Sequence, residues 1–176
     1  KLTAWADATF YLKGRMNMML SNMALGAVLV FIVLGIFLHL KIAAWVIIGL
    51  PMAFLGAFMM MPVVDITINV ISLFAFILVL GIVVDDAIIV GESIHTAQTR
   101  GVEGNEAALW GVREVFKPVL FAVISTMVFF APMMFMPGEW AHAAKGIPVV
   151  VLLVLTFSLV ECLWILPAHL SRLGPE

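Results

Sequence analysis

Charge is scarce in this sequence, and cysteine is nearly absent. Of 176 residues, 9 are Lys or Arg and 11 are Asp or Glu, together 11% of the chain, with a formal net charge of -2 and no basic run. Without a basic patch there is no electrostatic footprint for DNA or RNA, so nucleic-acid binding is excluded as a class. The lone cysteine, Cys162, excludes an intrachain disulfide framework and a Cys-based metal site, and its thiol is expected to pack within a helix. His39, His95, His142 and His169 fall at the ends of apolar segments or in loops with no ligand spacing, so neither metal nor cofactor is expected. The first twenty residues lack the basic, apolar and small-residue order of a secretory signal, and the chain opens on Lys1, which reads as part of something longer.

What is abundant is apolar surface. At 64% hydrophobic and a mean hydropathy of +1.19, the chain far exceeds the roughly half-apolar average of soluble domains and reads as an integral membrane protein. A span needs about 20 mostly apolar residues to cross roughly 30 Å of hydrocarbon. Five windows qualify: Met23 to Leu40, Ile42 to Met61, Ile66 to Val90, Pro118 to Met136 and Ile147 to Leu166. The fold class is therefore an all-α bundle of five transmembrane helices, its two ends on opposite sides of the membrane. Residues 1–21 form an interfacial lead-in helix, in which Trp5 to Leu20 mixes aromatics with Asp7, Lys13 and Arg15, and residues 22–176 form the transmembrane domain.

The first two spans are joined so briefly, around His39 to Lys41, that they must be antiparallel neighbours. Pro51 predicts a kink in the second span, and Gly49, Ala53 and Ala57 form a small-residue stripe for close helix packing. The polar stretch from about residue 92 to residue 117 is expected to be a loop broken at Gly101 and Gly104, with Asn105 capping a short helix toward Val115 and Trp110 anchoring it at the interface. Met is plentiful, for example Met59, Met60 and Met61; a copper path would use its thioethers, but a flexible core filler is the better reading. Lys41, Arg100, Arg113, Lys117 and Arg172 on one side face Lys1, Lys13, Arg15 and Lys145 on the other, a slight bias toward the first set being cytoplasmic.

Asp85 and Asp86 interrupt the third span. A charge at the bilayer centre costs roughly 2.5 to 3.5 kcal/mol on insertion scales, so acids there line a protein interior or an aqueous path. Adjacent side chains diverge by about 100°, so the pair cannot share a narrow stripe, but both are expected within one broad interior sector. Gly81 and Glu92 fall on the Asp85 side, and Ser72, Val79 and Ser93 on the Asp86 side. Such acids suit protons in transit; as structural braces they would do what one Asn or Ser does with less desolvation. Glu161, in the last span, and Ser125 and Thr126, in the fourth, are candidate neighbours of that relay, although membrane hydroxyls often bond their own backbone.

The stretch LGIVVDDAIIVGESI, Leu80 to Ile94, resembles the fourth transmembrane helix of the resistance-nodulation-division (RND) efflux transporters, with its Gly, apolar run and double Asp. FLHLKIAAWVIIGLPMAFLG resembles that family's junction of helices two and three, and DITINVISL its approach to helix four. GVREVFKPVLFAVISTMVFFAPMMFMPG resembles the loop and helix five, and ILPAHL the sixth helix of one family branch. The resemblance implies helices two to six of the first half of an RND permease, with the first helix, the periplasmic substrate region and the second half outside this sequence. It implies a proton-driven drug exporter of the bacterial inner membrane, in which Asp85 and Asp86 take up protons with a Lys of the second half. It further implies a periplasmic N-terminus, a cytoplasmic loop after Glu92 and a cytoplasmic C-terminus. The implied partners are membrane lipids, the rest of the RND chain, a homotrimer, a periplasmic adaptor and an outer-membrane channel; the coupling ion is H+.

Gly91 and Glu92 depart slightly from the family pattern without touching the Asp pair. The alternative from another class is a lipid- or sterol-sensing module of the same superfamily, against which adjacent intramembrane acids argue. An intramembrane aspartyl protease needs its two acids on facing helices, whereas these are neighbours on one.

Overall fold

The structure, a computed structural model, describes residues 8–37, 40–138 and 145–171. Five long helices account for most of them: α1 (Ala8–Phe37), α2 (Leu40–Met60), α3 (Val70–Thr99), α4 (Gly104–Phe130) and α5 (Gly146–Leu170). No strand occurs among the described residues, and the chain is an all-α membrane bundle. Among the described residues, four segments are long and apolar enough to cross a membrane: Ala43–Val64, Val70–Thr99, Gly104–Phe135 and Gly146–Leu170. The remaining expected span, Met23 to Leu40, reaches residues 38 and 39, outside the described set. Up to Phe37 it is the second half of α1, which runs unbroken from the lead-in segment. At 1.5 Å per residue this 30-residue helix is about 45 Å long, more than the hydrocarbon thickness.

α3 is the central element and packs on all four others, while α5 packs on α2, α3 and α4. Its start is fixed locally. The Asn69 side chain accepts hydrogen bonds from the N–H groups of Ile71 (2.8 Å) and Ser72 (2.9 Å), and the Asn69 N–H donates to Ser72 Oγ at 2.8 Å. This reciprocal cap satisfies orphan donors of the first turn and sets the helix start at Val70, four residues later than the apolar pattern predicts. The preceding turn, a 3-10 segment Met61–Val64, closes on Asp65 in the left-handed conformation, φ 56°.

The polar stretch after Val90 stays helical, contrary to the loop expected from its composition. α3 continues to Thr99, α4 begins at Gly104, and Gly101 turns the chain between them at φ 86°. Tertiary contacts override composition here. The Ser93 hydroxyl donates to the Gly111 carbonyl (2.9 Å), and Gly111 lies so close to α3 that a Cβ there would come 2.7 Å from the Ile94 backbone. The Arg100 guanidinium sits 5.2 Å from the Trp110 ring, a cation–π contact that ties the ends of the turn together. The N-cap of α4 is Glu103 in extended conformation, so Asn105 lies inside the first turn and does not cap. The short helix and the fourth span expected separately are one helix passing through Pro118.

The stripe on α2 is confirmed as a packing surface, since Gly49, Ala53 and Ala57 are all buried, and α2 continues as a helix through Pro51. The core falls into two apolar clusters at different depths. One joins Leu50, Phe54 and Ala57 of α2 to Phe76, Val79 and Val83 of α3, Val123 of α4 and Val151, Val154 and Leu155 of α5. The other joins Ala43 and Val46 of α2 to Ala87, Val90 and Ile94 of α3, Val119 of α4 and Cys162, Leu163 and Leu166 of α5.

Candidate functional site

The boundary between the two clusters is polar. Along α2 it falls between Val46 and Leu50, along α3 between Val84 and Ala87, and along α5 between Leu155 and Cys162. Those intervals contain Gly49, the two aspartates and Glu161, so three helices bring their polar or missing side chains to one level of the bundle.

At that level the two aspartates part company. Asp86 is buried, 5% exposed, whereas Asp85, about 100° further round α3, is exposed. Within these five helices only Asp86 is covered by neighbours. At this level the packed helices cover the sector of Asp86 and Ala87, both buried, and stop short of Asp85. The face assignments themselves hold, for Gly81 and Glu92 are exposed with Asp85, and Ser72, Val79 and Ser93 are buried with Asp86. Asp86 Oδ2 is buried without a hydrogen-bond partner.

Glu161 is also 5% exposed. Its carboxyl lies against the bare Cα of Gly49, where any Cβ would overlap it. The helix changes form at this residue. Glu161–Ile165 make a π turn in which the Leu166 N–H donates to the Glu161 carbonyl five residues back. Pro167, two residues past that turn, lacks the N–H that would continue the α pattern, and wider turns of this kind recur at functional positions. The turn carries three consecutive buried residues, Glu161, Cys162 and Leu163, which a regular helix would spread over 200°. The Cys162 thiol donates to the Leu159 carbonyl at 3.8 Å, packed within a helix as expected.

The candidate hydroxyls on α4 do not join the acids. The Thr126 hydroxyl donates to the Ala122 carbonyl at 3.0 Å, and Ser125 is exposed with no hydrogen bond to either aspartate among the described residues. Ser158 is the residue sequence reasoning missed. It is 1% exposed, its Oγ has no partner, and it precedes Glu161 by three positions on the same face of α5. Its spacing from Glu161 was the available signal. Of the histidines, His39 and His142 lie outside the described residues, and His169 stacks on Trp45 with ring centroids 4.0 Å apart.

Four apolar helices long enough to span a bilayer, with ionisable side chains at one interior level, define a multi-pass membrane protein. The AcrB/AcrD/AcrF family matches residues 1–173, and the chain belongs to that family, as its resemblance to RND transporters implies. It is similar to the multidrug resistance protein MdtC of Yersinia pestis bv. Antiqua (strain Angola), 35% identical over 159 residues. That alignment covers 84% of this chain and 15% of the relative. The MdtC of Yersinia pseudotuberculosis serotype O:1b (strain IP 31758) matches at the same identity and coverage. The chain thus spans about 15% of the length of these relatives.

Proposed function

We propose that this chain is the transmembrane block of a proton-driven RND export permease of the bacterial inner membrane, and that Asp85 and Asp86 bind and release its coupling protons. The observation that carries the reading is the placement of the pair: adjacent acids at mid-bundle on the central helix, one open and one sealed without a partner. A carboxylate that takes up a proton becomes neutral, which removes the cost of holding charge at that depth. When Asp85 is neutralised at the outer face of α3, the adjacent Asp86 loses a repelling charge, and the preferred packing of α3 shifts. Transport follows when that shift biases a two-state equilibrium felt elsewhere in the permease.

The multidrug resistance names of the relatives support drugs and other amphiphiles as cargo. The proposed setting includes a homotrimer, a periplasmic adaptor and an outer-membrane channel, with the N-terminus periplasmic and the turn at Arg100–Glu103 cytoplasmic. The test is dye export from an efflux-deficient bacterium carrying the full-length permease, with Asp85→Asn and Asp86→Asn compared with wild type at equal membrane expression. Each variant is expected to lose export. Undiminished export in both would sink the proton-relay reading.

A further inference from the structure

We infer that the groove among the outer ends of α1, α3 and α5 is a phospholipid site, in which Arg15 holds the phosphate of one lipid and the apolar walls hold the upper part of one of its acyl chains. The site lies at the end of the bundle away from the Arg100–Glu103 turn and stands apart from the acids at mid-bundle.

The groove encloses about 270 Å³, and its lining includes Arg15 of α1, Val70, Ile71, Phe74 and Ile77 of α3 and Ile147 of α5. Close contacts fix its walls. A Cβ at Gly146 would come 3.9 Å from Ile71, so the start of α5 abuts the start of α3. A Cβ at Gly26 would come 3.7 Å from Leu80, so α1 meets α3 three residues inward of Ile77 and closes the groove there. Between those contacts Val70 and Phe74 stay 43% and 54% exposed.

Depth points to the occupant. α3 is centred near Asp85, and Ile77 and Val70 lie eight and fifteen residues from it, about 12 and 22 Å along the axis. The hydrocarbon of a bilayer ends about 15 Å from its centre and the headgroup region at about 20–22 Å. The groove therefore crosses from headgroup to acyl chain. Its own chemistry changes in the same sense, because Arg15 stands eleven residues, about 16 Å, outward of Gly26 on α1, while the inner wall is aliphatic.

Charge agrees with depth. Among the described residues the Arg15 guanidinium makes one hydrogen bond, to the Met18 sulfur at 4.0 Å, a weak acceptor that leaves its donor fork open to a phosphate. Lys145 precedes α5, whose first turn has no side-chain cap, and both add positive potential at this end. Asp65, in the turn before α3, is the only acid here among the described residues, and Lys13 lies about 200° round α1 from Arg15.

Size argues against the other occupants. A helix is about 10–12 Å across with its side chains and does not enter a cavity this small. Drug-sized ligands take roughly 300–1,000 Å³ with most of their surface buried, whereas the Val70 and Phe74 wall is open. A single acyl chain fits, its outer side against neighbouring lipid.

The test uses the full-length permease, stripped of lipid in detergent and titrated with phosphatidylglycerol, with binding read by native mass spectrometry. Arg15→Gln is expected to weaken one phosphatidylglycerol per chain about fivefold, Arg15→Lys to weaken it less, and Ile77→Trp, which fills the inner end with the charge intact, to remove it. Diacylglycerol, which has the chains without the phosphate, should respond to Ile77→Trp and not to Arg15→Gln. Val70→Cys at the outer rim should react with a maleimide in the stripped permease and be protected by added phosphatidylglycerol. Unchanged titrations in Arg15→Gln and Ile77→Trp overturn the inference, as does an effect of Arg15→Gln alone, which would be a headgroup contact without a groove. A Val70→Cys that stays unreactive after stripping means that another part of the permease covers the groove. Displacement of the protecting lipid by an exported dye assigns the groove to cargo. Either result replaces the phospholipid, and none of these outcomes bears on the aspartates.

Discussion

α3 has two long faces of similar apolarity and opposite fate. Phe76, Val79, Asp86 and Val90 are sealed by neighbouring helices, whereas Phe74, Gly81, Asp85, Ile89 and Glu92 face outward. Hydrophobicity does not distinguish these faces, because lipid and protein interior accept apolar side chains alike. Fit does. The sealed face combines small residues, Ala75, Ala87, Gly91 and Ala97, with large ones, Phe76 and Ile94, that fill the space between helices, whereas Phe74, Gly81 and Ile89 on the open face are exposed. Within a membrane, then, burial is selected by close fit, and the position of an acid relative to that fit decides which environment it samples.

The largest expected contrast lies between two phenylalanines two residues apart. Phe76 is 0% exposed and packs with Phe54 and Phe58, ring centroids 5.5 and 4.2 Å away. Phe76→Ala is expected to cost about 3–5 kcal/mol through the cavity it leaves, and Phe74→Ala, at a site 54% exposed, far less. Unfolding free energies in bicelles check this, and equal losses would erase the distinction between the faces.

The glycines sharpen the comparison at an intermediate scale. Gly111→Ala must push α4 away from the Ile94 backbone and is expected to cost about 1–3 kcal/mol by overpacking. Gly81→Ala meets no atom within 4 Å and should stabilise the helix by about 0.5–1 kcal/mol. The same unfolding assay reads both, and a matching sign at the two positions would break the argument.

The smallest effect belongs to a hydroxyl. Ser93→Ala removes the buried hydrogen bond to Gly111 and is expected to cost about 0.6 kcal/mol, the average for interhelical bonds in membranes. Ser125→Ala, on an exposed position of α4, should be neutral in the same measurement. A larger loss at Ser125 would mean that α4 presents a different face to the bundle.

Much of this was legible in the residues themselves. The 100° step assigns Gly81 and Glu92 to one face of α3 and Ser72, Val79 and Ser93 to the other without any knowledge of neighbours. The same step could not say that five helices leave one face of α3 open, because that depends on which elements surround it. Helix ends were harder. Residues 92–99 look like a loop by polarity, yet Ser93 and Ile94 hold them against Gly111, a contact eighteen residues away. The seat of Glu161 was least accessible, since a π turn has no sequence signature and its notch, Gly49, belongs to another helix. Thr126 bonded its own backbone, as hydroxyls in membrane helices often do.

The length of α3 has a mechanical consequence. From Asp86 to Thr99 the helix runs thirteen residues without interruption, about 20 Å of stiff rod. Its far end is clasped by Arg100 on Trp110 and by Ser93 on Gly111. A tilt of α3 by a few degrees at the acid level is thus magnified along this arm and delivered to the turn at Arg100–Glu103, with α4 carried along. The bundle is geared: a tilt at its axle reaches the rim.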